Sequence, residues 1–193
     1  MKQFGDESFI RVLRESQEDS RNQDIHQGSV FVEDQELVFQ EREILKDLLW
    51  MWMPDVFAPL NKELVRIKYP SENRPDRIYS NPQTTVNISF SHKQEKMESG
   101  QAGEVRDYMG QVIENLYPSS SIMEKDSVKY GENEVVWMDF VSPAMDIQIY
   151  NLMFFTSLKG RLFMGSCNCP AHEQEDWKGL FLQMISSMRT GKK

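Results

Sequence analysis

The stretch "YNLMFFTSLKGRLFMGSCNC", Tyr150 to Cys169, decides how the rest of the chain is read. It contains two β-favouring runs joined by Lys159-Gly160. A short glycine-containing connection between such runs signals an antiparallel hairpin. In the first run, apolar side chains occupy both alternations: Tyr150, Leu152 and Phe154 on one face, Met153 and Phe155 on the other. Successive strand side chains point to opposite faces, so this strand has no wet side. It belongs in the middle of a sheet that is covered on both faces.

The neighbouring sequence supplies such a sheet and its covers. "SIMEKDSVKY" and "EVVWMDFVS", with Gly131-Glu132-Asn133 between them, read as strands, and the last three of the four runs form an antiparallel meander. Before them, Val105, Tyr108, Met109, Val112, Ile113 and Leu116 lie at helical spacing, and Pro118 ends a helix over 104–117. After them, Trp177, Leu180, Phe181, Met184, Ile185 and Met188 repeat the stripe. Glu173, Glu175 and Asp176 precede that stripe and Arg189 follows it, which complements the helix dipole. Strands grouped between helices, not strictly alternating with them, indicate α+β: a mainly antiparallel sheet packed between amphipathic helices, an α/β/α sandwich.

The upstream half is read with the same rules. Residues 1–28 form a polar N-terminal extension, either a short docked helix carrying Phe9, Ile10 and Leu13 or a disordered tail. Residues 29–193 form the single α+β domain. "SVFVEDQELVFQ" opens it as a hairpin, within an N-terminal unit spanning 29–49. Ile44, Leu45, Leu48 and Leu49 have helical spacing, so "REILKDLLWMWMP" reads as a short helix entering a strand. "LVRIKYP" alternates Val65, Ile67 and Tyr69 against Arg66 and Lys68, and "TVNISFS" does likewise with Val86, Ile88 and Phe90; both read as half-exposed strands. "DRIYS" between them reads as a short strand.

Composition narrows the function classes. The 193 residues carry a net charge of −8, so their surface repels phosphate backbones and nucleic acid is not expected as a partner. The N-terminus has no apolar leader pattern, and apolar runs such as "LMFF" from Leu152 are too short for a membrane span; a cytoplasmic location is the expectation. No G-x-S-x-G, phosphate-binding glycine loop, H-E-x-x-H or EF-hand loop is present, and acidic pairs such as Glu33-Asp34 and Glu175-Asp176 suit a turn and a helix start. No catalytic residue and no cofactor is assigned.

Cys167, Cys169 and His172 are the one metal- or redox-like constellation. The two thiols share a strand face with Phe163 and Gly165, but C-x-C is not the usual C-x-x-C spacing, and three ligands are few for a closed zinc site. Two buried cysteines followed by Pro170 at a helix start is the stronger reading. Partner-binding candidates are Trp50 and Trp52 in "WMWMPDVF", and Arg74, Arg77 and Tyr79 in "NRPDRIYSNP".

From about Trp50 to Arg189 the chain resembles the PsbP/Mog-like superfamily, including the DcrB-like bacterial proteins. The resemblance lies in "WMWMPDVF", "LVRIKYP", "TVNISFS", the helix 104–117, "YNLMFFTSLKGRLFMGSCNC" and the closing helix after His172. It implies an antiparallel sheet between helices and a role as a binding or adapter module, since members include photosystem-associated proteins, a Ran-binding factor and secretion chaperones. The expected function is therefore a non-enzymatic, chaperone-like or adapter module whose partner is another protein. The alternatives are a metal- or redox-linked protein using the C-x-C segment, and a hydrolase with a dispersed site around His92 or His172.

Overall fold

The computed structural model describes residues 23–32, 35–71, 74–144 and 146–191. Phe9, Ile10 and Leu13, most of the polar extension and the Glu33-Asp34 pair lie outside the described residues.

Fourteen elements follow one another among the described residues: β1 (Ser29–Val32), β2 (Gln35–Leu45), β3 (Leu49–Pro54), β4 (Ala58–Pro59), α1 (Lys62–Lys68), β5 (Arg77–Ser80), β6 (Asn87–Lys96), α2 (Ala102–Leu116), β7 (Ile122–Tyr130), β8 (Asn133–Pro143), β9 (Gln148–Leu158), β10 (Arg161–Pro170), α3 (Gln174–Ser186) and β11 (Arg189–Thr190). Seven strands form one antiparallel sheet in the order β4-β5-β6-β10-β9-β8-β7, and β1-β2-β3-β11 form a second. The quoted stretch is the β9–β10 hairpin at the centre of the larger sheet. Its register runs from Leu158 opposite Arg161 to Ile149 opposite Pro170. Lys159 and Gly160 both have positive φ, 53° and 72°, the conformation a two-residue turn needs to match strand twist.

The doubly apolar β9 is covered on both sides. On one face, Met138, Phe140, Phe155 and Met153 meet Ala102, Val105, Met109 and Ile113 of α2. On the other, Trp137, Tyr150, Leu152, Phe154, Phe163 and both cysteines join Phe181, Met184 and Ile185 of α3 and the buried side chains of β1–β3 in one cluster. One cover of the sandwich is thus a helix, and the other is a helix together with a four-stranded sheet. The inward stripe of α2 is narrower than its apolar pattern: Tyr108 and Leu116 are about two-thirds exposed, at 65% and 67%.

The N-terminal hairpin is present as β1–β2, with Ser29 opposite Val38. Two local expectations are corrected. Ile44, Leu45, Leu48 and Leu49 are not helical: β2 runs on to Leu45 and a tight turn with Leu48 N–H donating to Leu45 C=O leads directly into β3. Of the side chains that mimic helical spacing, Ile44, Leu45 and Leu49 belong to strands and Leu48 to the turn, with Ile44 and Leu49 both buried. "LVRIKYP" is not a strand but α1 and its C-terminal end. Asn61 caps the helix by accepting the Leu64 N–H at 2.9 Å, and that local bond outweighs the alternation. Ahead of β1, Ile25 lies in a single helical turn that falls within the segment read as polar extension. It is fully buried, and its N–H donates to Gln183 Oε1 of α3 at 3.1 Å.

Candidate functional site

A cleft of about 450 Å³ opens at the β4–β5 edge of the larger sheet, between that edge and α1. Its position follows from the α1 correction. In a helix, Lys62, Val65 and Arg66 share one face, and all three line the cleft. The opposite wall is the chain re-entering the sheet, with Arg74, Arg77 and Tyr79. Three of the predicted partner-binding residues are thereby brought together. Lys62 and Arg66 were missed because a strand reading of 64–70 turns Arg66 and Lys68 out along one wet face. The signal that could have found them is Asn61 followed by Lys-Glu-Leu and closed by Pro70, a helix start and stop.

Among the described lining residues, four cations therefore meet one carboxylate, Asp76. Asp76 Oδ2 already accepts the His92 N–H at 2.9 Å. Among the described residues none of Lys62, Arg66, Arg74 or Arg77 forms an ion pair. Leu60, Val65, Pro75 and Ile78 make the rest of the surface largely apolar. Tyr79 is almost buried, with its ring 6.2 Å from that of Phe90, so it forms a floor and not a free contact.

Trp50 and Trp52 lie elsewhere, on the face of the smaller sheet turned away from the core, while Met51 and Met53 of the same strand are fully buried. Neither indole is bare. The Arg189 guanidinium lies 4.8 Å over Trp50 and is gripped by both oxygens of Glu41 at 2.5 and 2.6 Å. His26 stands edge-on to Trp52 at 4.8 Å.

Both cysteine thiols are free and fully buried. Burial pushes both well above the ordinary thiol range; Cys169 is raised further by Glu173 and Asp176, and Cys167 by Cys169. A thiol so placed is protonated at neutral pH and closed off from solvent. His172, by contrast, has a side chain 76% exposed, beside Glu173 Oε1 at 3.7 Å. No group of three or more potential metal-ligating side chains occurs among the described residues. His92 rests on Phe163 with Nε2 3.1 Å from Leu158 C=O, so it sits apart from His172 in a different contact set.

The residues missed altogether form a buried polar knot. Asp139, fully buried on β8, accepts from the Glu124 N–H of β7 at 2.9 Å, from Tyr150 Oη of β9 at 2.8 Å and from Lys178 Nζ of α3 at 2.7 Å. Lys178 also reaches Glu124 Oε2 at 2.5 Å and sits 5.1 Å over the Trp137 ring. Burial, with Asp139 next to it, pushes the Tyr150 hydroxyl far above its usual range. The signal was a lone aspartate inside the apolar run "EVVWMDFVS". Such a carboxylate has to be paired.

No helix among the described residues is long and apolar enough to cross a membrane. No family model and no curated protein matches the chain. Solved structures do resemble it. Cyanobacterial PsbP (CyanoP) from Synechocystis sp. PCC 6803 is similar with a TM-score of 0.58 at 13% identity, covering 79% of this chain and 92% of that one. LpqN, involved in cell envelope biogenesis of Mycobacterium tuberculosis, is similar with a TM-score of 0.51 at 9% identity, covering 83% and 95%. At these identities the likeness is one of fold, and it agrees with the layers traced above: this chain has a PsbP-like α+β fold.

Proposed function

We propose that the protein is a non-enzymatic binding module that docks another protein through the cleft between α1 and β5. The observation that carries this is the charge of the lining: among the described residues, four cations against one occupied carboxylate, on a chain whose net charge is −8. Unpaired like charges held together cost free energy in the isolated protein and favour an oppositely charged occupant. The remaining candidates support the same direction. The thiols are sealed, the tryptophans are roofed by Arg189 and His26, and the Asp139 carboxylate is saturated by three donors inside the fold.

The test is a quantitative pull-down with the whole protein and with an Arg66→Glu/Arg77→Glu variant of unchanged melting temperature. Captured proteins that are lost with the variant support the cleft as the docking surface. A captured set identical for both proteins rejects it.

A further inference from the structure

We infer that the occupant of the cleft is an acidic segment of a partner protein, extended and alternating carboxylates with apolar side chains, and held against the sheet edge by α1. This deepens, and rests on, the docking reading above.

The lining selects this chemistry. Three of the four cations are arginines, whose planar forks bind carboxylates through two parallel hydrogen bonds. Between them lie Leu60, Val65 and Pro75, which a bare inorganic anion would leave in water. A chain carrying both kinds of side chain uses both parts of the surface. Length also matters. Electrostatic interactions between exposed charges fade over about 8 Å at physiological salt. A short acidic segment therefore experiences the local excess of cations, whereas a long polyanion such as nucleic acid also meets the acidic remainder of the surface.

The wall supplied by α1 has a second property. None of its seven residues is buried, and Ile67 is 74% exposed. A helix this short is not stable alone. It is tied to the fold by the Leu60 N–H on Ile78 C=O at 2.8 Å and by Lys68 on Thr84 C=O. Carboxylates on Lys62 and Arg66 add the contacts that hold it, so an occupant should fix α1 against the cleft.

The experiment titrates the whole protein with a labelled peptide alternating glutamate and leucine, and with a glutamine-for-glutamate counterpart. Anisotropy gives the affinity, and hydrogen exchange reports the α1 amides. The glutamate peptide is expected to bind at least about tenfold more tightly, as charge-assisted pairs predict. It should also slow exchange in α1. Arg66→Gln/Arg77→Gln should weaken it about tenfold, and the exposed Lys62→Gln provides a second variant if that one fails to fold. Equal affinity for both peptides, binding indifferent to these variants, displacement by inorganic phosphate at peptide concentration, or preference for a single-stranded oligonucleotide each overturns the inference. Absence of peptide binding overturns it too. If the charge-reversed protein still loses its captured proteins in that case, the docking reading stands alone.

Discussion

At the scale of single residues, Gly165 is the most constrained position in the central hairpin. A Cβ there would sit 2.2 Å from Phe154 Cζ and 2.5 Å from the Ser89 carbonyl oxygen. One neighbour is the edge of a fully buried ring, the other is backbone, and neither can withdraw cheaply. Gly165→Ala is therefore expected to cost about 3 kcal/mol, read from chemical denaturation. Gly179 in α3 has nothing within 4 Å of its Cβ position, and Gly179→Ala should stabilise by up to about 1 kcal/mol through helix propensity. If the two substitutions have equal effects, the packing argument is wrong. The cysteines make a second residue-scale case. Neither should react with an aromatic disulfide reagent in the native protein, and both should react in denaturant. Cys167→Ser, which places a hydroxyl among apolar side chains, should lose about 1–3 kcal/mol. Native thiols that react at the rate of a free cysteine would contradict the burial.

At the scale of elements, the Asp139 knot ties three strands to α3, and its energetics depend on which partner is removed. Lys178→Met leaves a fully buried carboxylate without its cation and is expected to cost about 2–3 kcal/mol in a melting experiment. In the double variant with Asp139→Asn the loss should be smaller than the sum of the single losses, since the stranded charge is gone. The pH dependence follows from Lys178. Burial lowers its ammonium pKa, but the bonds to Asp139 and Glu124 outweigh this and leave it raised above the ordinary lysine range. The contribution is therefore complete below that range and lost as pH climbs through the raised value. The stability gap between the native protein and Lys178→Met should stay constant at neutral pH and narrow only in strong alkali. A gap that narrows on mild acidification would assign the linkage to another group.

α1 shows how elements escape sequence reading. Its alternation of apolar and basic residues fits a strand as well as it fits a seven-residue helix, because period 2 and period 3.6 are barely distinguishable over so few residues. The Asn61 cap decided between them, and with it the position of Lys62 and Arg66. The reading of Ile44 to Leu49 as helical failed for a related reason: a tight turn between two strands brings apolar residues to spacings that imitate one helix face.

For the whole molecule, side chains from both sheets and from α3 belong to one buried cluster, so the two sheets should unfold together. Far-ultraviolet circular dichroism and tryptophan fluorescence are expected to trace coincident thermal transitions, Trp50 and Trp52 reporting the smaller sheet and Trp137 and Trp177 the larger fold. A fluorescence transition displaced from the dichroism would mean that the smaller sheet melts by itself.

The central hairpin, α2, α3 and the grouping of strands were legible in the sequence because long periodic segments reflect burial directly, and burial on both faces of β9 required a covered sheet. Three of the five partner-binding candidates, Arg74, Arg77 and Tyr79, were legible as a cluster because they are close in sequence. Which surfaces remain open was instead set by long-range contacts. Whether Trp50 and Trp52 are bare depends on Arg189 and His26 arriving from distant parts of the chain, and the pairing of Asp139 depends on Lys178 reaching it from α3. The cleft itself depends on α1 folding back to face β5. Hydrophobic periodicity is a local property of the chain, whereas the arrangement of charges is set by contacts between residues far apart in it.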